Sequence, residues 1–356
     1  MQCYLQGDFK KMSVQITDCT IRDGGYLFNK NSNPKFVKGI MKGLAEAGVD
    51  FVETGFLQSN VTGESLVYAN SVDARKYLPK DKKNTQFLGF CDNSRYSLDD
   101  LDDYDGKSFK WLRISFAQHE IDASIKFCEG AKEKGYLIQF NPMDSISYTD
   151  EARALLIKKV NKVKPSSFSI VDTFGAMYMP DLVHIFKQVD KLLDKDIKIG
   201  LHSHDNLGLS CALAERMIEL SEECERDIIV DCSLFGMGRG AGNAKTELIA
   251  DYINKHCKGH YDLQKLLNTI DTYITPVLTN LSYGYDLPMY ICGTKHSHVD
   301  NVYHLKNSYN CTANELFDLI DKLSPNQRTR YGIGYSKTDF SILDKIYDEY
   351  KKGNEK

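Results

Sequence analysis

Residues 14–26 read VQITDCTIRDGGY, an apolar run that ends in two charged side chains and two glycines. The apolar and β-branched part, 14–21, predicts a strand that is covered on both faces, as strands of parallel sheets are. Arg22 and Asp23 follow near its carboxyl end. In (β/α) barrels the functional residues lie at that end of the strands, so this stretch predicts both a barrel strand and part of a site.

Seven further runs of the same kind follow along the first two thirds of the chain. They cover residues 50–56, 86–91, 111–116, 137–142, 168–172, 197–202 and 228–232. Segments with helical periodicity lie between them, and the clearest of these begins after Asn33 and ends at Gly48. Eight such units in about 250 residues predict a (β/α)8 TIM barrel over 14–253. A doubly wound parallel sheet has the same periodicity and remains the alternative.

The last hundred residues have a different pattern. Beyond residue 253 the chain is mostly helical in its periodicity, for example over 262–274 and 313–323. We therefore expect residues 254–356 to form a mostly helical C-terminal extension. Such an extension suits a lid over the site or the contact of a homodimer.

Composition excludes several classes of protein. The 356 residues are 42% hydrophobic, and 45 basic against 49 acidic side chains give a net charge of −4, so a nucleic-acid partner is not expected. No apolar run approaches the roughly 20 residues of a membrane span, and the N-terminal residues lack the apolar core of a signal peptide. The ten cysteines include no CxxC pair, which favours buried free thiols. We expect a cytoplasmic protein that binds a small molecule.

Two histidines at the end of the seventh predicted strand suggest a metal site. His202 and His204 are two positions apart, so both side chains face the same side of an extended segment. In a closed barrel the eighth strand lies between the seventh and the first, which lets Asp23 and Asn243 approach this pair. Two imidazoles, a carboxylate and an amide oxygen suit Mn²⁺, Mg²⁺, Zn²⁺ or Co²⁺. The spacing alone is weak evidence, because His296 repeats it with His298.

Other polar residues near the predicted strand ends have two interpretations each. Arg22 could stabilise a developing oxyanion or form a structural ion pair with Glu53, and both can hold together. Asp172 and Thr173 close the sixth predicted strand and could contact substrate or cap a helix. The glycine-rich residues 236–242 do not match a phosphate-binding loop, so we expect a turn that lets the backbone pass close to the site.

Three motifs together resemble those of a known family. DCTIRDGGY at 18–26, HSHDNLG at 202–208 and GMGRGAGN at 236–243 are similar to the motifs of the DRE-TIM metallolyases. This family includes 3-hydroxy-3-methylglutaryl-CoA lyase, isopropylmalate synthase and 4-hydroxy-2-oxovalerate aldolase. The motifs occur in the family's order, and the resemblance covers about residues 14–253. It is strongest to the aldolase catalytic-domain proteins of surface-polysaccharide gene clusters.

The resemblance implies a carbon–carbon lyase of the aldolase type that holds one divalent cation, Mn²⁺ or Mg²⁺ foremost. Its substrates would be a 2-oxo acid such as pyruvate and an aldehyde, sugar-like if the polysaccharide setting applies. The implied metal ligands are Asp23, His202 and His204, with Asn243 as a fourth ligand or a near neighbour. The implied catalytic groups are Arg22, which stabilises the enolate oxygen, and Glu53, which positions it; the substrate contacts we expect are Gly24, Asp172 and Thr173.

The general base cannot be transferred from the family. Tyr26 stands where the hydroxyoxovalerate aldolases have a catalytic histidine, and Gly25 stands where the Claisen synthases have an acidic residue. Tyr26 could serve if its pKa were lowered from about 10. Tyr290 and His298, from the segment after the barrel, could instead reach over the site.

Three other functions remain open at this point. The chain could be a Claisen-type acyltransferase that condenses acetyl-CoA with a 2-oxo acid. It could be a barrel without catalysis that acts as a binding partner, although a retained ligand set argues against this. A metal-dependent hydrolase ranks last, because those barrels usually carry the two histidines on the first strand.

Overall fold

The computed structural model describes residues 13–28, 32–62, 66–278, 281, 283–329 and 340–354. It contains eight barrel strands, which are β1 (Val14–Asp18), β2 (Phe51–Leu57), β3 (Gln86–Asp92), β4 (Trp111–Phe116), β5 (Leu137–Pro142), β6 (Ser167–Asp172), β7 (Lys198–Ser203) and β8 (Ile228–Cys232). β4, β5 and β8 have the predicted bounds. β1 is shorter than the predicted strand 14–21, because the chain turns at residues 20–23.

The eight strands close into a ring. Each strand pairs in parallel with the next, and β1 pairs with both β2, through Thr17 and Phe51, and β8, through Asp18 and Cys232. A two-residue strand, Val67–Tyr68, adds to β2 outside the ring. The predicted TIM barrel is therefore confirmed, and the doubly wound alternative is excluded, since its open sheet would leave two strand edges unpaired.

Six α-helices cover the barrel, fewer than the regular βα repeat predicted. They are α1 (Pro34–Glu46), α2 (Ile121–Glu133), α3 (Asp150–Val163), α4 (Met179–Leu192), α5 (Ser210–Cys224) and α6 (Thr246–His256). The described parts of the connections after β2 and β3 contain no α-helix; besides the short strand Val67–Tyr68, they contain the 3-10 turns Ser71–Lys76 and Leu98–Asp100. Aspartates are frequent after β3, and their side chains favour turns over helix interiors. Asp105, for example, accepts hydrogen bonds from the backbone N–H groups of Lys107 and Ser108.

The region after the barrel is helical, as predicted. It comprises α7 (Leu263–Thr269), a π-helical turn (Ile270–Ile274), α8 (Thr275–Leu278), α9 (Leu287–Thr294), α10 (Val299–Tyr309), α11 (Ala313–Asp321), α12 (Pro325–Thr329) and α13 (Ser341–Asn354). In the described residues, no helix has the length and apolar character needed to cross a membrane.

Two hydrophobic clusters divide this helical region. Leu266, Ile270 and Ile274 belong to the large cluster that fills and surrounds the barrel. A second cluster, which includes Val302 and Leu319, lies among the later helices. The first helices after residue 253 therefore pack as part of the barrel's core, and the domain boundary at 253/254 stays a prediction.

Candidate metal centre

The turn after β1 positions the first two site residues. The Asp23 N–H donates to the Cys19 carbonyl at 2.8 Å, which closes the turn and brings Arg22 and Asp23 to the carboxyl end of the barrel. The two carboxylate oxygens of Asp23 have different partners. Oδ1 accepts from Arg22 Nη1 at 2.7 Å, and Oδ2 accepts from Asn243 Nδ2 at 2.6 Å. All three side chains are buried.

The two histidines at the end of β7 face this carboxylate. Their ring centroids are 5.1 Å apart, with the rings nearly perpendicular. Nδ1 of His202 is 3.1 Å from Asp231 Oδ2, and Nδ1 of His204 is 3.2 Å from the Gly242 carbonyl. Neither partner has a proton to give, so each Nδ1 donates, and in the neutral ring this tautomer puts the lone pair on Nε2. Burial lowers the pKa of His204 to about 4, which keeps this imidazole neutral at pH 7.

These residues fit a divalent cation. One ligand atom each from Asp23, His202 and His204 lies within 4.8 Å of the others. Asn243 Oδ1 is buried and has no hydrogen-bond partner among the described residues, an arrangement that is costly unless something binds there. Burial alone would raise the pKa of Asp23, but Arg22 and the two histidines hold it well below its usual value. The carboxylate is therefore ionised and ready to act as a ligand.

A glycine is required beside these ligands. A Cβ atom on Gly238 would lie 2.1 Å from Asn243 Nδ2 and 2.7 Å from Asp23 Oδ2, which no side chain tolerates. Gly24 is more permissive, since its Cβ would lie 3.1 Å from the Met237 side chain. The glycine-rich segment after β8 therefore passes close to the site.

Two hydrogen bonds, from Nε and Nη1, hold the Arg22 guanidinium in place. Its Nε donates to Glu53 Oε2 at 2.7 Å, and its guanidinium lies 4.6 Å from the centroid of the Phe90 ring. No other described residue accepts a hydrogen bond from Nη2. The predicted ion pair with Glu53 therefore exists, and it orients a guanidinium that can still bind an oxyanion.

Three buried polar residues of this region were not predicted from the sequence. Arg113 on β4 donates through both Nη atoms to Asp231 on β8, and its Nη2 also donates to Gln139 Oε1 at 2.7 Å. The signal was available, because Arg113 and Asp231 are charges inside runs that otherwise read as buried strands. A charge in such a position needs a buried partner.

The two residues that close β6 hold the backbone of neighbouring loops. The Asp172 carboxylate accepts from the N–H groups of Ala176 and Met177 at 2.8 and 3.2 Å. Thr173 Oγ1 accepts from the Asp144 N–H at 2.9 Å. Burial raises the pKa of Asp172 to about 7. These contacts hold loops and do not cap a helix, since α4 begins at Met179 with Tyr178 as its N-cap, and a contact with substrate stays a prediction.

The structure changes the assignment of the general base. Tyr26 packs edge-on against Phe56, with ring centroids 5.3 Å apart, and burial raises its pKa. A tyrosine that acts as a base needs a lowered pKa, and burial shifts the pKa of Tyr26 in the opposite direction. His298 is the N-cap of α10, where its Nδ1 accepts from the Asp300 N–H at 3.2 Å, and a role for it over the site stays a prediction. Tyr290 is 38% exposed on α9, and no described hydrogen bond joins its side chain to the metal ligands.

Comparisons with known proteins found a family model, curated relatives and solved structures that resemble this chain. A family model described as HMGL-like matches residues 110–272. A 4-hydroxy-2-oxovalerate aldolase of Thermomicrobium roseum is 28% identical over 274 residues, which are 74% of this chain and 73% of the relative. The crystal structure of the N-terminal domain of a candidate aldolase from Bacteroides vulgatus superposes with a TM-score of 0.72 at 27% identity, over 85% of this chain and 99% of that one. An HMG-CoA lyase of Bacillus subtilis, at 17% identity, shares the fold with a TM-score of 0.59 over 73% of this chain and 92% of its own.

A closed barrel that gathers a carboxylate, two imidazoles and a guanidinium at its carboxyl end defines a class, the metal-dependent barrel lyases. Members of that class form or cleave carbon–carbon bonds beside a carbonyl group. The HMGL-like match and the similarity to 4-hydroxy-2-oxovalerate aldolases support membership of the DRE-TIM metallolyase superfamily and a carbon–carbon lyase activity, and the residues of the site fit a divalent metal.

Proposed function

We propose that this lyase is an aldolase that forms and consumes the enolate of a 2-oxo acid, with pyruvate as the simplest substrate. The observation that carries the proposal is the cluster of Asp23, His202 and His204, whose ligand atoms lie within 4.8 Å of one another. Arg22 donates directly to the same aspartate at 2.7 Å. A chelating 2-oxo acid placed there would have its developing oxyanion beside a buried guanidinium.

Each residue of the site has a distinct role in this proposal. The cation, when bound, would polarise the 2-oxo group as a Lewis acid. Asp23 and the Nε2 atoms of His202 and His204 would hold it, and Asn243 Oδ1 is the fourth donor. Arg22 would donate from Nη2 to the enolate oxygen, while Glu53 fixes its orientation. Asp172, Thr173 and Gly24 would shape the walls around the substrate.

The decisive test is exchange of the methyl protons of pyruvate in D₂O, followed by proton NMR with Mg²⁺. We expect exchange well above the background, and we expect a chelator or Asp23→Asn to abolish it. Asp122→Asn is the matched control, because Asp122 is an exposed carboxylate at the start of α2 and should leave exchange unchanged. Metal-loaded protein without exchange would contradict pyruvate as substrate and would direct attention to acyl-CoA substrates. Absence of both exchange and bound metal would support a non-catalytic barrel.

A separate proposal concerns the proton of the acceptor. Because its pKa is raised, Tyr26 keeps its proton at pH 7, and it can donate that proton to the alkoxide formed on carbon–carbon bond formation. Tyr26→Phe should therefore lower aldol turnover about 100-fold and leave pyruvate exchange nearly intact. Tyr290 is the alternative donor, and Tyr290→Phe is the comparison. Loss of turnover only in the Tyr290 variant would reverse the assignment.

The identity of the metal is a further proposal. Two imidazoles with carboxylate and amide oxygens suit Mn²⁺ or Mg²⁺, and Zn²⁺ or Co²⁺ can also bind such a set. We expect the highest turnover with Mn²⁺ or Mg²⁺. Turnover after metal removal and reconstitution with each of the four ions measures this preference, and activity with Zn²⁺ alone would contradict it.

For the acceptor we propose a sugar-like aldehyde used in surface-polysaccharide synthesis. A cavity of about 880 Å³ lies beside the loops that follow β4 and β5, at the carboxyl end of the barrel, and its lining includes none of the proposed metal ligands. An acceptor much larger than acetaldehyde would fit in it. Its polar lining suits hydroxyl groups; it includes Gln118, His119, Asp144, Lys295, His296 and Arg328. Turnover with aldehydes of two to six carbons tests this. We expect preference for the polyhydroxylated ones, and equal rates across the series would contradict it.

We also propose that the protein is a cytoplasmic homodimer. Each of the nine described cysteines is a free thiol, which supports a reducing compartment. Tyr285 and Leu287 are 64% and 56% exposed next to α9, and exposed apolar side chains of this kind support a contact between subunits. Analytical ultracentrifugation tests the dimer, and a monomer at micromolar concentration would contradict it.

A further inference from the structure

Arg113 occupies a central position that the metal ligands alone do not explain. It extends from β4, and β4 and β8 are opposite each other in the closed eight-stranded ring. Its guanidinium nevertheless reaches Asp231 on β8, so it crosses the interior of the barrel. The side chain is only 1% exposed. Burying a guanidinium costs desolvation free energy. Arg113 therefore needs a role that an apolar side chain could not fill.

One arm of this residue leads to a metal ligand. Both Nη atoms of Arg113 donate to the Asp231 carboxylate, and Nη2 does so at 2.8 Å. The same carboxylate accepts from His202 Nδ1 at 3.1 Å. A carboxylate behind a ligating imidazole fixes the tautomer and the direction of the ring. The two-point contact with Arg113 in turn fixes the plane of the carboxylate.

The second arm leads to the oxyanion-binding group. Arg113 Nε is 3.2 Å from Glu53 Oε1, an ion-pair distance, while its N–H points to Gln139 Oε1. The other oxygen of Glu53 accepts from Arg22 Nε at 2.7 Å. Arg113 therefore contacts the carboxylate that holds Arg22 in place. One cation contacts the carboxylates behind both functional arms of the site.

The charges of this network support the same interpretation. Arg22 and Arg113 face three buried carboxylates, those of Asp23, Glu53 and Asp231. One negative charge remains in excess, which favours a cation at the Asp23 cluster. Without Arg113, the buried carboxylates of Glu53 and Asp231 would each lose a neighbouring positive charge.

We propose that Arg113 and Asp231 are positioning residues for the metal centre, and that Arg113 couples the orientation of His202 to that of Arg22. The proposal rests on the proposed function for the role of Arg22, whereas the His202 arm requires only that the site binds a cation. A variant of Asp231 and a variant of Glu53 should therefore differ in which property they lose, Mn²⁺ affinity or the rate of pyruvate exchange.

The test is the dissociation constant for Mn²⁺, measured by electron paramagnetic resonance on purified protein from which metal has been removed. Asp231→Asn should weaken Mn²⁺ binding about 10- to 100-fold, the usual cost of losing a partner behind a ligand. Glu53→Gln should leave Mn²⁺ affinity within about threefold but lower the rate of pyruvate exchange, with little change in KM. Arg113→Lys should show both losses, because an ammonium cannot make the two-point contact.

Arg226 provides a matched control. It is also 1% exposed and makes buried hydrogen bonds, but its partners are Asp190 and the backbone before β7, at the other end of the barrel. Arg226→Lys should lower the unfolding temperature and leave Mn²⁺ affinity unchanged. If Arg113→Lys is too unstable to purify, Asp231→Asn alone decides the His202 arm.

The outcomes separate this inference from the proposed function. Wild-type affinity for Mn²⁺ in both Asp231→Asn and Arg113→Lys would overturn the inference, as would a wild-type protein that binds no Mn²⁺. Additive losses in the double variant would also overturn it, since residues that act in series should show little further loss. Failure of pyruvate exchange in wild-type protein that binds Mn²⁺ would refute the proposed function and leave the Mn²⁺ comparison intact.

Discussion

Two histidine pairs with the same spacing have different roles in this molecule. His202 and His204 end β7, and their ligand atoms face the Asp23 carboxylate. His296 and His298 lie between α9 and α10. His296 has a left-handed backbone conformation and binds Asp144 at 2.6 Å, while His298 caps α10. An HxH spacing therefore makes a half-site only when an extended backbone aims both rings at one point.

The difference arises from what lies opposite each pair. In the first pair each Nδ1 is occupied by an acceptor, which leaves Nε2 of both rings for one ligand. In the second pair the two rings flank Phe174, with centroids 5.2 and 6.1 Å from it, and their nitrogens serve separate partners. The first pair is built to bind, and the second pair joins the C-terminal helices to the barrel loops.

The largest effect is expected from removing one ring of each pair. His204→Ala should abolish measurable Mn²⁺ binding, a larger loss than the roughly 10- to 100-fold that follows removal of a partner behind a ligand. His298→Ala should keep Mn²⁺ affinity and lower the stability by about 1 kcal/mol through the lost cap. Titration calorimetry and thermal unfolding measure the two effects. Weakened Mn²⁺ binding in His298→Ala would break the distinction between the pairs.

A smaller but specific effect is expected at Gly238. An alanine there would displace the Asn243 and Asp23 side chains, since its Cβ would lie within 2.1 and 2.7 Å of their atoms. A displacement of this size should lower turnover about 100-fold while the protein stays folded. Gly353→Ala in α13 is the control, because a Cβ there meets nothing within 4 Å. Turnover close to wild type in Gly238→Ala would show that the ligands can rearrange.

Sequence reasoning located the strands well because each one is a short apolar run with a clear end. It overestimated the helices after β2 and β3, since turn-forming aspartates there compete with helix formation. It also placed the whole region after residue 253 in the extension. Ile270 and Ile274 are buried in the large cluster that fills and surrounds the barrel, a contact that periodicity cannot reveal, and the boundary at 253/254 stays a prediction.

The cluster of Asp23, His202, His204 and Asn243 was predictable because barrel closure brings the ends of β1, β7 and β8 together. Arg113 was not, because its partner Asp231 is 118 residues away in the chain and belongs to a strand on the opposite side of the ring. The pKa of Tyr26 was also beyond the sequence, since its direction depends on burial against Phe56 and the loops around it.

The smallest effect, and the sharpest contrast between the pairs, lies in their titration in metal-free protein. Burial lowers the pKa of His204 to about 4, so between pH 6.5 and 4 the unfolded chain takes up a proton that the folded chain refuses. Its contribution to stability therefore falls as the pH is lowered through that window. Burial alone would also lower the pKa of His296, but its hydrogen bond to Asp144 raises it above the usual value.

His296 should therefore stabilise the fold below pH 6.5 and lose that contribution as the pH rises through its folded pKa. NMR of the imidazole ring protons checks both directions, with His204→Gln and His296→Gln variants to assign the signals. The free energy of unfolding in urea should then be measured at pH 8 and at pH 5.5. Relative to the wild type, the difference between the two values should decrease in His204→Gln and increase in His296→Gln. A shift in the same direction would show that burial, and not the carboxylate opposite, governs both pairs.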